Sequence, residues 1–352
     1  MRNNSMTPKE RWEAVLSRKE PDKIPVDWWG TVEVEDKIKT HLGLDNMWDV
    51  YKKLHIDKLI KIEPDYVGPK LAQGTDWFGC KFKGIPYGKG EYEECIFNPL
   101  AQYETIEEIE KNYTWPEPDW FDYSGMSDKL TGKEDYPVQG PHSEPFYFYK
   151  YLRGDEQAFM DLILNPELAE YILEKLHSYE KTRIQRTLEA VPGKLTCGMI
   201  AEDLGAQHTL MYSPAHIEKF FFPRMKKLMS LLHQDDIFVM THSDGAVRDI
   251  IPGLIDCGMD VLNPVQWRCP GMEREGLKKD FGDKIIFYGG VDNQITLPFG
   301  SVDDVKNEVI DNIRILGDGG GYILAPCHNL QSVSPVENIV TLFETAYHEG
   351  WT

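Results

Sequence analysis

The sequence is short of positive charge: 38 lysines and arginines stand against 58 aspartates and glutamates, a formal net charge of −20. Such a surface excludes the broad basic face needed for nucleic acid or an anionic membrane, and any anionic ligand needs a local basic pocket. Long apolar runs are also missing, so no stretch of about 20 residues is apolar enough to span a bilayer. Met1 to Ser5 lead straight into a charged segment with no signal-peptide pattern, and the expected location is the cytoplasm. The six cysteines, Cys80, Cys95, Cys197, Cys257, Cys269 and Cys327, form no CxxC pair, which argues against a disulfide framework and against a zinc finger. Phosphate-loop and dinucleotide fingerprints are absent as well.

What is present is a regular alternation. Eight short β-branched or apolar runs read as strands: residues 23–29, 58–63, 136–139, 194–201, 236–241, 259–262, 284–288 and 321–325. From the fourth onward they alternate with helices over about 209–233, 245–256, 271–281, 301–316 and 335–349. Thr7 with Glu10, Thr105 with Glu108 and Ser334 with Glu337 have capping-box spacing, and Ser213-Pro214 marks another helix start. Strand–helix alternation implies parallel pairing, and eight units suit a closed barrel. The expected fold class is therefore α/β, a single (β/α)8 TIM barrel over 1–352 with an N-terminal helix. Residues 66–135, rich in glycine (Gly68, Gly74, Gly79, Gly84, Gly88, Gly90), proline and aromatics, read as a long insertion after the second strand.

Barrels of this kind carry their chemistry on the loops after the strands. Reactive residues collect there: Asp65, His142 and Glu144, Glu202 and Asp203, His242 and Asp244, Asn263 and Gln266, Asp292, and Cys327, His328 and Asn329. His242 and Asp244, two apart at a strand end, point to one side, and the eighth strand's end brings Cys327 across the mouth. Imidazole, carboxylate and thiolate suit Zn2+, with Glu202 as a further donor; His328 competes with Cys327 as ligand or serves as general acid. Without a metal, the same groups form a hydrogen-bonded polar site. Trp28, Trp29 and the run Phe146 to Tyr149 give the mouth aromatic walls, or are packing.

Several segments resemble the uroporphyrinogen decarboxylase superfamily, which includes cobalamin-dependent methyltransferases. They are Glu202-Asp203-Leu204-Gly205, Thr241-His242-Ser243-Asp244-Gly245, Gly258 to Pro264, Gly289-Gly290-Val291-Asp292, Ala325 to Asn329, and Ser334 to Asn338. The opening Pro8 to Arg11 and Pro21 to Val26 are similar too. The resemblance implies a (β/α)8 barrel. Decarboxylases of the family grip the porphyrin carboxylates with arginines just after the first strand. Here Trp28 to Asp36 holds no arginine and three acids, so a substrate with eight carboxylates would be repelled. The methyltransferase branch holds zinc with a His-x-Cys pair and a late cysteine. His242 matches the histidine, Asp244 stands in the cysteine's place, and His328 falls at the last ligand's column with Cys327 one residue earlier.

The resemblance thus implies a zinc-assisted methyltransferase that moves a methyl group from a small methylated donor, such as a methoxylated aromatic, to a corrinoid protein. Metal ligands would be His242, Asp244, Cys327 and Glu202. Catalytic roles would fall to Asp65, Glu202 and His328. Substrate contacts would come from Trp28, His142, Glu144, Asp203, Asn263, Gln266, Asp292 and Asn329. Relatives are often dimers. A metal-independent decarboxylase of a non-porphyrin acid, using Asp65, Asp203 and His328, and a non-catalytic binding barrel are the rival readings.

Overall fold

The computed structural model describes residues 5–87 and 90–352; the leader reading at Met1 to Asn4 and the glycine Gly88 lie outside them. Seven strands form one parallel sheet in the order Ile60–Lys61, Val138–Ser143, Cys197–Ile200, Phe238–His242, Val261–Asn263, Ile286–Val291 and Tyr322–Pro326. All seven correspond to runs expected from the sequence. The remaining run, 23–29, is not a ladder strand. Pro25 has no N–H to give, and the stretch pairs only through isolated bridges, Val26 with Leu324 in parallel and Lys23 with Trp351 antiparallel. Asp27 N–H donates to Leu324 O, and on the other side Asp57 N–H donates to Val26 O. The stretch therefore lies beside the last strand and next to the residues leading into Ile60–Lys61.

The sheet curls around an inner apolar layer that includes Leu59, Cys197, Met199, Met240, Val261, Ile286, Ile323 and Ala325, joined by Trp12, Val15 and Leu16 of the helix Pro8–Leu16. The Thr7–Glu10 capping box starts that helix. The outer faces of the strands pack on helices, among them Pro166–Ala190, Phe222–Gln234, Val302–Leu316 and Val336–Glu349. One buried charge cluster in the wall is paired: Asp57 accepts from Lys23 and from Arg11, itself bound to Asp22.

Between Lys61 and Val138 the chain makes an antiparallel hairpin, Lys81–Tyr87 with Gly90–Phe97, and a two-residue pairing of Asp65–Tyr66 with Phe121–Asp122. The helix Ile106–Asn112 has the expected capping box at Thr105. Ser334 does not make its expected box: the helix begins one residue later, with Pro335 at the cap. Buried Arg153 ties this region to the helices after Val138–Ser143, donating to Leu100 O and Tyr103 O while paired to Asp161.

Candidate active site

Parallel strands deliver their C-terminal ends to one rim, and there His242, the last residue of its strand, meets the loop after Cys197–Ile200. One ligand atom each from Asp203, His242 and Asp244 lies within 4.8 Å of the others. His242 Nδ1 pairs with the Asn263 amide oxygen at 2.7 Å, which keeps the proton on Nδ1 and leaves a lone pair on Nε2. That nitrogen lies 3.9 Å from Asp244 Oδ2. Asp203 Oδ1 is buried with no hydrogen-bond partner. Burial, then Glu144, raises the Asp203 carboxyl, and Asp244 adds to the rise while His242 opposes it. A divalent cation would satisfy the orphan oxygen and relieve the crowding of carboxylates, so these residues fit a metal held by one nitrogen and two oxygens.

A cavity of about 460 Å3 opens beside this cluster, with Trp29, His142, Tyr147, Tyr151, Asn263 and His328 in its walls. His328 Nδ1 pairs with Asn329 Oδ1 at 2.7 Å, and its ring lies 4.6 Å from Trp29 and 6.3 Å from His242. His142 approaches Glu144 at 3.6 Å. His142, Glu144, Asp203, Asn263 and Asn329, all expected to contact substrate, line this cavity.

The other expected site residues are held by contacts of their own. Glu202, expected as ligand and catalyst, is buried and accepts the Phe146 N–H at 3.0 Å, capping the helix Pro145–Arg153; burial holds its carboxyl well above the usual range. Cys327, expected as a ligand, is buried with its thiol donating to Val265 O at 3.2 Å, and burial raises it well above the ordinary thiol range. Neither belongs to the three-residue cluster, where Asp203 takes the place expected of them. Asp65, expected to be catalytic, is exposed on its short strand and paired to Lys129 at 2.7 Å. Asp292 accepts backbone N–H groups from residues 294–296 and pairs with Arg268 at 2.9 Å. Gln266 accepts the Gly245 N–H at 2.8 Å and so braces the turn after Asp244. Trp28 stacks on Phe343 and also lines the cavity, while its neighbour Trp29 faces the two histidines.

Residues the sequence reading passed over also line the cavity: Lys58, Lys61, Gln139 and the pair Asp27–Tyr288. Lys61 had a signal. It sits between Ile60 and Ile62, both buried on the outer side of the sheet, and alternation sends the residue between them inward.

A strand-end site on a curled, parallel seven-stranded sheet, with a His–Asp–Asp cluster at the edge of an aromatic cavity, defines the α/β architecture of this chain. The uroporphyrinogen decarboxylase (URO-D) family profile matches residues 85–349, and the chain belongs to that family. Among curated relatives, the methylcobamide:CoM methyltransferase MtaA of Methanosarcina barkeri strain Fusaro is 28% identical over 132 residues, 38% of this chain and 36% of that protein. The uroporphyrinogen decarboxylase of Synechocystis is 23% identical over 214 residues, 60% of this chain and 54% of that protein. The chain thus spans about a third to a half of the length of these relatives. Among solved structures, a methyltransferase from Methanosarcina mazei superposes with a TM-score of 0.72 at 19% identity, covering 98% of this chain and 99% of that one. That likeness is one of fold.

Proposed function

We propose that this chain is a methyltransferase that takes a methyl group from a small methoxylated aromatic compound and passes it to a reduced corrinoid carried by a partner protein. In this reading the sheet and the 23–29 stretch make one closed (β/α)8 barrel, working in the cytoplasm with a bound divalent metal, zinc first among candidates. The observation that carries it is the convergence of Asp203, His242 and Asp244 on one point at the edge of an aromatic-walled cavity.

An aryl methyl ether is inert because its oxygen is a poor leaving group. Held by Asp203, His242 and Asp244, the metal would supply Lewis acidity toward that oxygen. Asn263 holds the His242 ring in the ligating tautomer. His328, oriented by Asn329 and Trp29, is placed to give a proton to the departing phenoxide. The C–O bond would break with its electron pair left on oxygen, and the reduced corrinoid of the partner would supply the electron pair for the new bond to the methyl carbon. A donor set without sulfur is hard, which favours an oxygen-bearing substrate over a thiol.

The decarboxylase reading loses Asp65, which pairs with Lys129 at the surface. The test is metal analysis of the purified protein together with methyl transfer from methoxylated aromatics to a reduced corrinoid protein. Stoichiometric zinc, and loss of both metal and transfer in His242→Ala and Asp203→Ala, is the expected result. A metal-free active protein, or full turnover without the 242 imidazole, overturns the reading.

A further inference from the structure

Two of the six cysteines meet at the base of the hairpin made by Lys81–Tyr87 and Gly90–Phe97, outside the strand-end cluster. Cys80 stands just before the first of these strands and is buried. Cys95 lies in the second, opposite Phe82, and is half-buried. Their Sγ atoms converge on one acceptor, Tyr151 O, which is 3.4 Å from Cys80 and 3.9 Å from Cys95. The two thiols also hydrogen-bond to each other, with the Cys80 S–H donating toward Cys95. Nothing in their spacing along the chain marks them as a pair; the hairpin brings them together.

We propose that Cys80 and Cys95 are a redox pair, joined by hydrogen peroxide into a disulfide that staples the hairpin at its base. Cys95, the more exposed of the two, attacks one peroxide oxygen as its thiolate. The O–O bond breaks, leaving a sulfenic acid on Cys95 and one water. Cys80 then attacks the Cys95 sulfur, the S–O bond breaks, and hydroxide leaves with the Cys80 proton as a second water. Two thiols thus lose two electrons and two protons, and the peroxide gains them. Burial raises both thiols above their ordinary range, which makes thiolate scarce and the reaction slow. The same burial suits the product, since a disulfide is uncharged and has no S–H to satisfy. Nor does the crosslink strand the shared acceptor, because Tyr151 O keeps the Asn98 Nδ2 donor at 2.8 Å. Gly90–Phe97 is mostly exposed, so local opening of the hairpin admits the oxidant. Tyr92 on that strand and Tyr151 both line the cavity, so a closed base fixes part of its wall.

The test treats the whole, fully reduced native protein with excess hydrogen peroxide. Remaining thiols are then blocked with iodoacetamide in denaturant, and the peptides are mapped by mass spectrometry without reduction. The expected product is one crosslinked pair, Cys80 with Cys95, about 2 Da lighter than its two thiol peptides together and reversed by dithiothreitol. A chain nicked by trypsin at Lys83 should then hold together on a non-reducing gel and separate once reduced. Cys95→Ser should abolish the crosslink, and Cys80→Ser, lacking the second thiol, should carry Cys95 on to the sulfinic acid. Thermal melting checks that both variants fold; if either does not, the wild-type peptide map decides alone. Two free thiols after treatment, a sulfinic acid on Cys95 with Cys80 untouched, or a crosslink to another cysteine each overturns the proposal. None of these readouts involves methyl transfer, so the result is independent of that reading.

Discussion

Asn263 sets the state of His242 through one contact of 2.7 Å, and removing its amide would free the ring to turn and to exchange tautomers. Asn263→Ala is expected to weaken metal binding about 10- to 100-fold, the usual range for a hydrogen bond behind a metal-ligating histidine. Competition with a chromogenic chelator measures it; an unchanged affinity would mean that His242 does not ligate through Nε2. Cys327 makes the opposite case. Its thiol is sequestered on Val265 O, so it should resist alkylation in the native protein, and Cys327→Ser should keep the metal. The pairing of His242 with Asp244 was legible because residues two apart at a strand end share a side. Cys327 was not, because its thiol turns to Val265 O, a contact 62 residues away in the chain that no local pattern encodes. Lys61 ends its two-residue strand, and its two buried apolar neighbours, Ile60 and Ile62, announce its direction.

Elements compete with sites for polar side chains, and Glu202 shows which demand wins. The helix Pro145–Arg153 begins with backbone N–H groups that need acceptors, and Glu202 meets the Phe146 N–H with both carboxylate oxygens. Glu202→Ala should therefore destabilise the protein by about 1–2 kcal/mol, the scale of a lost cap, without changing metal content. Glu202→Gln, which keeps an acceptor, should lie close to wild type; chemical denaturation and metal analysis of both variants decide the matter. Sequence shows that a carboxylate follows a strand, but not that a helix from another loop starts within its reach. Helix starts with a local signature were legible: Thr7 and Thr105 make their boxes because all partners lie within four residues. The stretch 23–29 had the composition of a strand, yet Pro25 limits its ladder to single bonds, a loss visible only once its neighbours are known.

At the scale of the whole molecule, acid stability depends on carboxylates buried against cations. Asp161 is fully buried; burial alone would raise its carboxyl, but hydrogen bonds from Arg153, Gln157 and Tyr149 outweigh it and hold the group below the usual range. A lowered folded-state value means that the stabilising contribution is complete above about pH 4 and is lost as the pH falls through that lowered value. Denaturant midpoints measured from pH 6 downward should decline accordingly, and Asp161→Asn should flatten that decline while lowering stability by about 3–5 kcal/mol, because Arg153 would be left without its anion. A decline of the same steepness in the variant would place the acid sensitivity in other groups. The alternation of strands and helices from residue 194 onward was legible because each element is specified locally, whereas Arg153 reaching Leu100 and Tyr103 is a long-range outcome that no local pattern encodes. A related long-range link joins the opening and closing loops at the cavity: Leu330 N–H donates to Trp29 O, and Thr31 N–H returns to Leu330 O. Through this clasp Trp29 and His328 travel as a unit, so a residue inserted into either loop would misalign both rings, and a viable change of length in one demands a matching change in the other.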